Sequence, residues 1–356
     1  MAKMKALWTG EYNAEWEKIF GERFDVTRAS VNVGAVYPDG LLRNEKLIEA
    51  LNGVEVFING YDPVDENIIK ACPDLKVIMS VRDGPEENID IEACTNAGIP
   101  VLFAGGRCVH SVAELNLTLM FAMACRLVTL TNRVRNEGWT STNCSKDLFA
   151  QTELFNKTLS IIGLGRNGKE LAKMANGIGM HVVAYDPYVS QEQANELGIG
   201  NITMMSLDDA MAAGDYVTLL ARVTPETTGM IGAAQIAKMK KTAYLINTGR
   251  ARLADEDAIF DALENDTIAG AALDVFSKEP LPKDSRAYNI PAEKLLLTPH
   301  AAGISVERVP HQYEYLMESY DKFLNGDLKD IRLYNKKVLE SANFDNRGGK
   351  LYKSSK

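Results

Sequence analysis

The 356-residue sequence reads as an α/β protein made of two parallel-sheet units. Three observations carry that reading. Short apolar or β-branched runs alternate with longer stretches of helical periodicity, the βαβ pattern of a parallel sheet. The length fits two domains at roughly 100–200 residues each. The composition, 46% hydrophobic and 24% charged, can fill buried cores and excludes wholesale disorder or a collagen-like chain.

In the first hundred residues, candidate strands Val54–Ile58, Leu75–Met79 and Val101–Phe103 follow helical segments Asn44–Leu51, Pro63–Ala71 and Ile89–Asn96. Ser111 to Arg135 then reads as one long helix. Ser111 is its expected N-cap, Glu114 completes a capping box, and Gly138 is the stop. A second unit starts with the strand Thr158–Ile162. It continues through strands at His181–Tyr185, Tyr216–Leu220, Ala243–Ile246, Ala269–Leu273 and Leu295–Leu297. Helices are expected at Lys169–Ile178, Ser190–Glu196, Leu207–Ala213, Ala233–Met239 and Asp255–Glu264, with a last one ending near Leu324. Pro310 makes that last helix start near it or kink. From Ile331 on, seven basic residues face two acidic ones around Gly348-Gly349, which reads as a solvated basic terminus.

Several function classes drop out on composition. A formal net charge of −9 argues against a dedicated nucleic-acid binder, which needs a basic face. The apolar stretch Leu115–Cys125 is far short of the ~20 residues that span a bilayer, so no membrane partner is expected. Five cysteines, at 72, 94, 108, 125 and 144, show no CxxC spacing, so neither a disulfide framework nor a metal site is indicated. No signal core precedes the first acidic residues, and a cytoplasmic location is expected.

The strongest local motif is Gly163-Leu-Gly165-Arg166-Asn167-Gly168, set between the apolar run Leu159–Ile162 and a helical segment. Alone, such a glycine pattern is common. Here a strand leads in and a helix leads out, the context a dinucleotide fingerprint requires. Gly163 serves the tight turn, Gly165 the approach of a pyrophosphate and Gly168 the close packing of helix on strand. The helix N-terminus offers unpaired N–H groups to the phosphates. Asp186 closes the next strand, 18 positions after Gly168, where a carboxylate accepts from ribose hydroxyls and repels a 2′-phosphate. A Rossmann-type, doubly wound domain that takes NAD rather than NADP follows.

Three polar residues stand just past candidate strands, the end where open parallel sheets bind ligands. They are Arg250, Glu279 and His300. Singly, each reads as a surface arginine, a loop charge or a turn histidine. As a set they suit keto-acid chemistry. A guanidinium forks onto a carboxylate or carbonyl, a histidine hands a proton to the carbonyl oxygen, and a carboxylate holds the imidazole tautomer and favours its acid form.

In this frame the chain resembles the D-isomer-specific 2-hydroxyacid dehydrogenase family, which includes phosphoglycerate, glycerate and D-lactate dehydrogenases. The segments KTLSIIGLGRNGKELA, AYDPY, VTPETTGMIG, LINTGRARLADEDAI, GAALDVFSKEPLP and LTPHAAG carry the resemblance in the family's order. Upstream, LKVIMSVRDGPEENIDIEACTNAGIPV and SVAELNLTLMFAMACRL are similar to its substrate loop and interdomain helix, so the likeness runs from about Leu75 to Gly326. The resemblance implies Arg250, Glu279 and His300 as the catalytic set. It implies a cofactor shell of Gly163, Gly165, Arg166, Asn167, Gly168, Asp186, Ala221, Arg222, Thr248, Gly249, Asp274 and Ala302, with Asp274 near the nicotinamide carboxamide. It implies a substrate loop with Arg82, Asp83 and Gly84, acting with Arg250 and His300.

It also implies a smaller, flavodoxin-like α/β substrate domain beside the nucleotide domain, with a cleft between. The expected boundaries are residues 1–107 for the first part of the substrate domain and 108–304 for the NAD-binding domain. Residues 305–335 would be the returning helix and 336–356 a basic tail. The partners implied are a small 2-keto or 2-hydroxy acid and a second copy in a homodimer. Departures from the family fall at Leu220 (a histidine in many relatives), Cys108 (an asparagine), His110 (an acid) and Asn167 (a branched apolar residue). They touch the expected cleft wall and leave the hydroxy acid open, with His110 a second candidate histidine there. Cys108 reads as wall packing, His181 and His311 as structural or surface residues, and the thirteen methionines as core filler. The competing readings are an NAD(H)-sensing, corepressor-like binder of the same fold and, further off, another Rossmann enzyme such as a methyltransferase.

Overall fold

Alternating strands and helices fold into two units in the computed structural model, which describes residues 3–29, 40–139 and 150–352. One unit joins residues 1–107 to 306–356, and the other is residues 108–305.

The first unit has five parallel strands: β1 (Met4–Trp8), β2 (Phe24–Arg28), β3 (Val56–Asn59), β4 (Val77–Ser80) and β5 (Val101–Phe103). They lie in the order β2-β1-β3-β4-β5, the flavodoxin-like arrangement. β1, β2 and the helix Ala14–Arg23 between them escape the sequence reading. β2 sits at the sheet edge with only Phe24 buried, so FDVTR lacks the apolar run that marks a central strand. Asn13 caps the intervening helix, its side chain accepting from Trp16 N at 3.0 Å. The late helix Arg308–Leu324 starts next to Pro310, as one of the two sequence options has it, and lies over this sheet. Its Tyr313, Leu316, Tyr320 and Phe323 are buried with Trp8, Phe20 and Phe24 of the N-terminal segment. Trp8, Phe20 and Tyr313 meet edge-to-face with ring centroids 5.3–5.6 Å apart. Trp8 Nε1 donates to the Tyr313 hydroxyl at 3.0 Å, and that hydroxyl donates to the Glu11 carbonyl at 2.5 Å.

The terminus corrects the sequence reading. Up to Tyr352 it is packed structure rather than a solvated tail. Val338, Phe344 and Leu351 are buried in the same core, and Phe344 meets Phe323 edge-on at 6.2 Å. Asn335 accepts from Val101 N and donates to Ile99 O beside β5, at 2.8 and 2.9 Å. Arg347 donates to the carbonyls of Ile69 and Cys72, at the end of the helix Glu66–Ala71. A Cβ on Gly98, whose φ is +75°, would lie 2.4 Å from the Asn343 backbone, so the close approach of this segment needs glycine there. The basic side chains that dominate the composition hide three widely spaced apolar anchors.

The second unit has seven parallel strands: β6 (Thr158–Ile162), β7 (His181–Tyr185), β8 (Ile202–Met204), β9 (Tyr216–Leu219), β10 (Tyr244–Asn247), β11 (Gly270–Leu273) and β12 (Leu295–Leu297). Their order is β12-β11-β10-β9-β6-β7-β8, a doubly wound sheet that reverses direction between β6 and β9. Helices on both faces bury two apolar clusters against it. The three-residue edge strand β8 is another element that the sequence pattern misses.

The expected single helix Ser111–Arg135 is instead two, Val109–Ala124 and Leu127–Glu137, bent by 56°. Arg126 breaks it with a left-handed φ of +51°. Ser111 lies inside the first turn and donates to Cys108 O at 3.1 Å, so it is not the cap. Gly138, at φ +74°, ends the second piece. No single helix among the described residues is long and apolar enough to cross a membrane.

Candidate active site

The carboxyl end of the seven-stranded sheet gathers most of the singled-out residues. At the β6/β9 reversal, Gly163 has φ +104°, and a Cβ there would lie 2.4 Å from the backbone of Ala221. Only glycine fits. A Cβ on Gly168 would stand 2.4 Å from Gly163 O, so the helix Arg166–Gly177 can approach β6 only with glycine at that point. Gly165 differs from both. Its φ is −73° and its missing Cβ faces open space, so neither strain nor protein packing calls for glycine. That opening, over the N-terminal turn that Arg166 and Asn167 begin, is the cradle a pyrophosphate fills. Asp186 follows β7 and accepts from Leu164 N and Tyr188 N, each at 2.9 Å. These bonds orient the carboxylate toward the glycine turn and leave lone pairs for ribose hydroxyls. The residues present therefore fit NAD.

β9, β10, β11 and β12 are successive neighbours, and the remaining residues follow them. Ala221 and the exposed Arg222 come after β9. Thr248, Gly249 and Arg250 come after β10. A Cβ on Gly249 would sit 2.5 Å from Leu219 O. Arg250 is exposed, with Nη1 donating to Gly249 O at 2.9 Å and its carbonyl accepting from Asn247 Nδ2 at 3.1 Å.

Asp274, directly after β11, is fully buried. Its Oδ1 accepts from the Thr298 hydroxyl (2.6 Å) and Ala301 N (2.8 Å), and its Oδ2 from Ala302 N (2.9 Å). Its carbonyl accepts from His300 N at 2.8 Å. One residue thus clasps the whole turn after β12, in which His300 adopts a left-handed φ of +53°. A non-glycine residue held there costs about 1 kcal/mol or more, which the surrounding bonds must offset. The turn aims His300 Nδ1 at Glu279 Oε2, 2.8 Å away, while Glu279 Oε1 accepts from Phe276 N at 3.0 Å. A carboxylate is an acceptor, so Nδ1 carries the proton of this bond and Nε2 is the nitrogen left to exchange protons with a ligand. The imidazole is 37% exposed, which gives it that access.

Asn116 is a site residue that sequence reasoning missed. It is fully buried in the helix Val109–Ala124, donates to Thr248 Oγ1 at 2.6 Å and accepts from Thr218 Oγ1 at 2.6 Å. It ties the helix to the ends of β9 and β10, with the Thr248 hydroxyl accepting. The signal was available: one asparagine inside LNLTLMFAMA, an otherwise apolar buried helix, must find partners.

Of the departures, Cys108 is partly buried, its Sγ 3.3 Å from Gly303 O. His110 is exposed, with Nδ1 3.3 Å from Glu170 Oε1. Leu220 packs on one of the sheet's apolar clusters. His181 is exposed at the start of β7, and His311 stacks on Tyr315. In the first unit, Arg82, Asp83 and Gly84 form the turn after β4. Arg82 pairs with Glu87 and lies 5.2 Å from the Tyr61 ring centroid, and Asp83 is exposed.

Residues 117–302 match the family model described as D-isomer specific 2-hydroxyacid dehydrogenase, NAD binding domain. The chain is 34% identical over 307 residues to a D-3-phosphoglycerate dehydrogenase of Methanocaldococcus jannaschii, covering 86% of this chain and 56% of that protein. It is 33% identical over 279 residues to a glyoxylate reductase of Korarchaeum cryptofilum, covering 78% of this chain and 82% of that one. The crystal structure of a D-lactate dehydrogenase from Aquifex aeolicus, complexed with NAD and lactic acid, aligns with a TM-score of 0.69 at 25% identity. That alignment covers 93% of this chain and 99% of that one. The chain spans about half the length of the D-3-phosphoglycerate dehydrogenases it matches.

Proposed function

We propose, since this chain belongs to the D-isomer specific 2-hydroxyacid dehydrogenase family, that it interconverts a D-2-hydroxy acid and its 2-keto acid with NAD as cofactor. The observation that carries the reading is the 2.8 Å contact of His300 with Glu279, on a turn that Asp274 clasps. NAD, when bound, gives or accepts the hydride. The glycine turn holds its pyrophosphate, and Asp186 takes the ribose hydroxyls and disfavours a 2′-phosphate.

In the reductive direction Arg250 forks onto the keto acid and fixes its orientation. His300 Nε2 delivers a proton to the carbonyl oxygen, and Glu279 balances the charge on the imidazolium beforehand. In oxidation the imidazole takes that proton back. Arg82, Asp83 and Gly84 supply contacts to the substrate carboxylate. A cytoplasmic location and a homodimer complete the proposal; low cysteine pairing potential and the family resemblance support them.

The test is a panel of 2-keto acids with NADH, followed at the reduced-nicotinamide absorbance. His300→Ala should lower turnover by roughly 10²–10⁴-fold, the usual worth of a positioned acid–base group, with NADH affinity retained. Wild-type turnover in that variant would remove the assignment. Tight NADH binding with no activity on any acid would point to an NAD(H)-sensing binder instead.

A further inference from the structure

The loop after β3 buries a carboxylate with no cationic side chain beside it. Asp62 is 1% exposed, and among the described residues no lysine, arginine or histidine forms an ion pair with it. Its Oδ1 accepts from Leu42 N at 2.8 Å, while its Oδ2 is enclosed and has no donor. Burial pushes this carboxyl up, although the Thr9 hydroxyl and the Leu42 N–H work against that.

Two asparagines gather round the same residue. Asn59, fully buried at the end of β3, donates its Nδ2 to the Asp62 carbonyl at 3.1 Å. Asn88 donates its own Nδ2 to that carbonyl at 2.9 Å. These bonds fix both amides, since a flipped amide would set oxygen against oxygen. Each Oδ1 is then held one amide width from the shared carbonyl, enclosed and without a donor. Three side-chain oxygens with free lone pairs, one of them charged, thus surround the Asp62 backbone. Burying such acceptors unmatched is costly. A water molecule brings two hydrogens, so one oxygen stays without a donor and the charge stays uncompensated. A hard cation answers all three oxygens and the charge together. The carboxylate carries one negative charge and the amide oxygens are neutral. A monovalent ion balances that set, whereas a divalent ion would leave a net buried positive charge.

We infer that Asp62, Asn59 and Asn88 hold a monovalent metal cation, sodium or potassium, through Asp62 Oδ2 and the two amide oxygens. Its role is structural. Asn59 ends β3, Asn88 follows the turn Pro85–Glu87, and Asp62 holds Leu42, so the ion pins three separate segments of the first unit together. Leu42, Tyr61, Pro63 and Asn88 are only partly buried, so solvent reaches the residues that enclose these oxygens.

The experiment records thermal unfolding of the full chain by calorimetry in NaCl, KCl and choline chloride at equal ionic strength. In about 200 mM NaCl or KCl the wild type should melt about 5–10 °C higher than in choline chloride, the shift for an ion with a Kd of about 2 mM. The salt that acts at the lower concentration identifies the resident ion. Asp62→Asn keeps an oxygen for Leu42 N and offers its new N–H donors to the asparagine oxygens. It should melt at or above the wild type in choline chloride and gain nothing from sodium or potassium. One Tm for the wild type in all three salts overturns the inference, and so does an equal gain from sodium or potassium in Asp62→Asn. Should that variant fail to fold, the wild type decides alone. A gain that grows with the logarithm of ion concentration, as binding to one site requires, upholds the ion, and a gain linear in salt is a bulk effect that overturns it.

Discussion

Replacing Asp274 by asparagine tests whether that residue acts as a brace. The carboxylate holds three donors: Thr298 Oγ1 and Ala301 N on Oδ1, Ala302 N on Oδ2. Asparagine can keep the first two on its carbonyl oxygen, but it sets an NH2 group against the Ala302 N–H, which is 2.9 Å from Oδ2 in the native turn. One hydrogen bond to a charged acceptor is lost, about 2 kcal/mol, and a buried N–H is stranded, about 1–3 kcal/mol more. The sum, roughly 3–5 kcal/mol, lowers Tm by about 10 °C for a domain of this size. Thr298→Val removes a single hydroxyl donor and should cost about 1 kcal/mol. Thermal unfolding measured by calorimetry, alongside NADH binding and turnover, separates the possible roles. Asp274→Asn should melt early and lose turnover because the His300 turn is released. An unchanged Tm with weakened NADH binding would refute the brace and favour direct contact with the nicotinamide, the role the family resemblance implies.

Two further predictions concern stability. Burial pushes the Asp215 carboxyl up, but hydrogen bonds from Lys240 Nζ and Thr158 N, with the lysine's charge, outweigh it and hold the group below the usual carboxylate range. Its contribution is therefore full above the unfolded value, about 4, and is lost as pH falls through the lower folded value. Asp215→Asn should be less stable by about 1 kcal/mol at pH 7, with the gap closing in acid; a gap constant from pH 7 to pH 2.5 in urea titrations would contradict the pairing. Phe344→Ala removes a ring that is 7% exposed in the terminal segment and should destabilise the first unit by about 3 kcal/mol. Amide exchange should then accelerate across residues 335–352, and native exchange rates there would show that the segment contributes nothing.

What the sequence discloses depends on whether a feature is local. The glycine turn is legible because strand, turn and helix adjoin in the chain: Gly168 answers a contact five residues away, Gly163 one at the end of the neighbouring strand, and Gly165 leaves an opening rather than a contact. The pairing of His300 with Glu279 is legible only through the spacing of a whole motif, since nothing in LTPH alone requires a glutamate partner. Asp274 reads as a cofactor contact from the motif, yet its three bonds come from a turn that only the β11–β12 pairing brings near. Asn116 shows in the sequence that it needs partners, but which ones is hidden for the same reason: they lie 102 and 132 positions away. Local patterns also mislead where tertiary contacts prevail. Nothing between Ser111 and Arg135 signals a break, yet Arg126 turns left-handed, and a basic composition masks the apolar anchors Val338, Phe344 and Leu351.

The discontinuity of the first unit orders events during synthesis. Residues 108–305 form an uninterrupted stretch and can close their sheet as soon as β12 leaves the ribosome. The leading 107 residues meanwhile lack Tyr313, Tyr320, Phe323 and Phe344, the aromatics that cover Trp8, Phe20 and Phe24. Their apolar face stays uncovered through about two hundred residues of further translation, so this unit completes its core last.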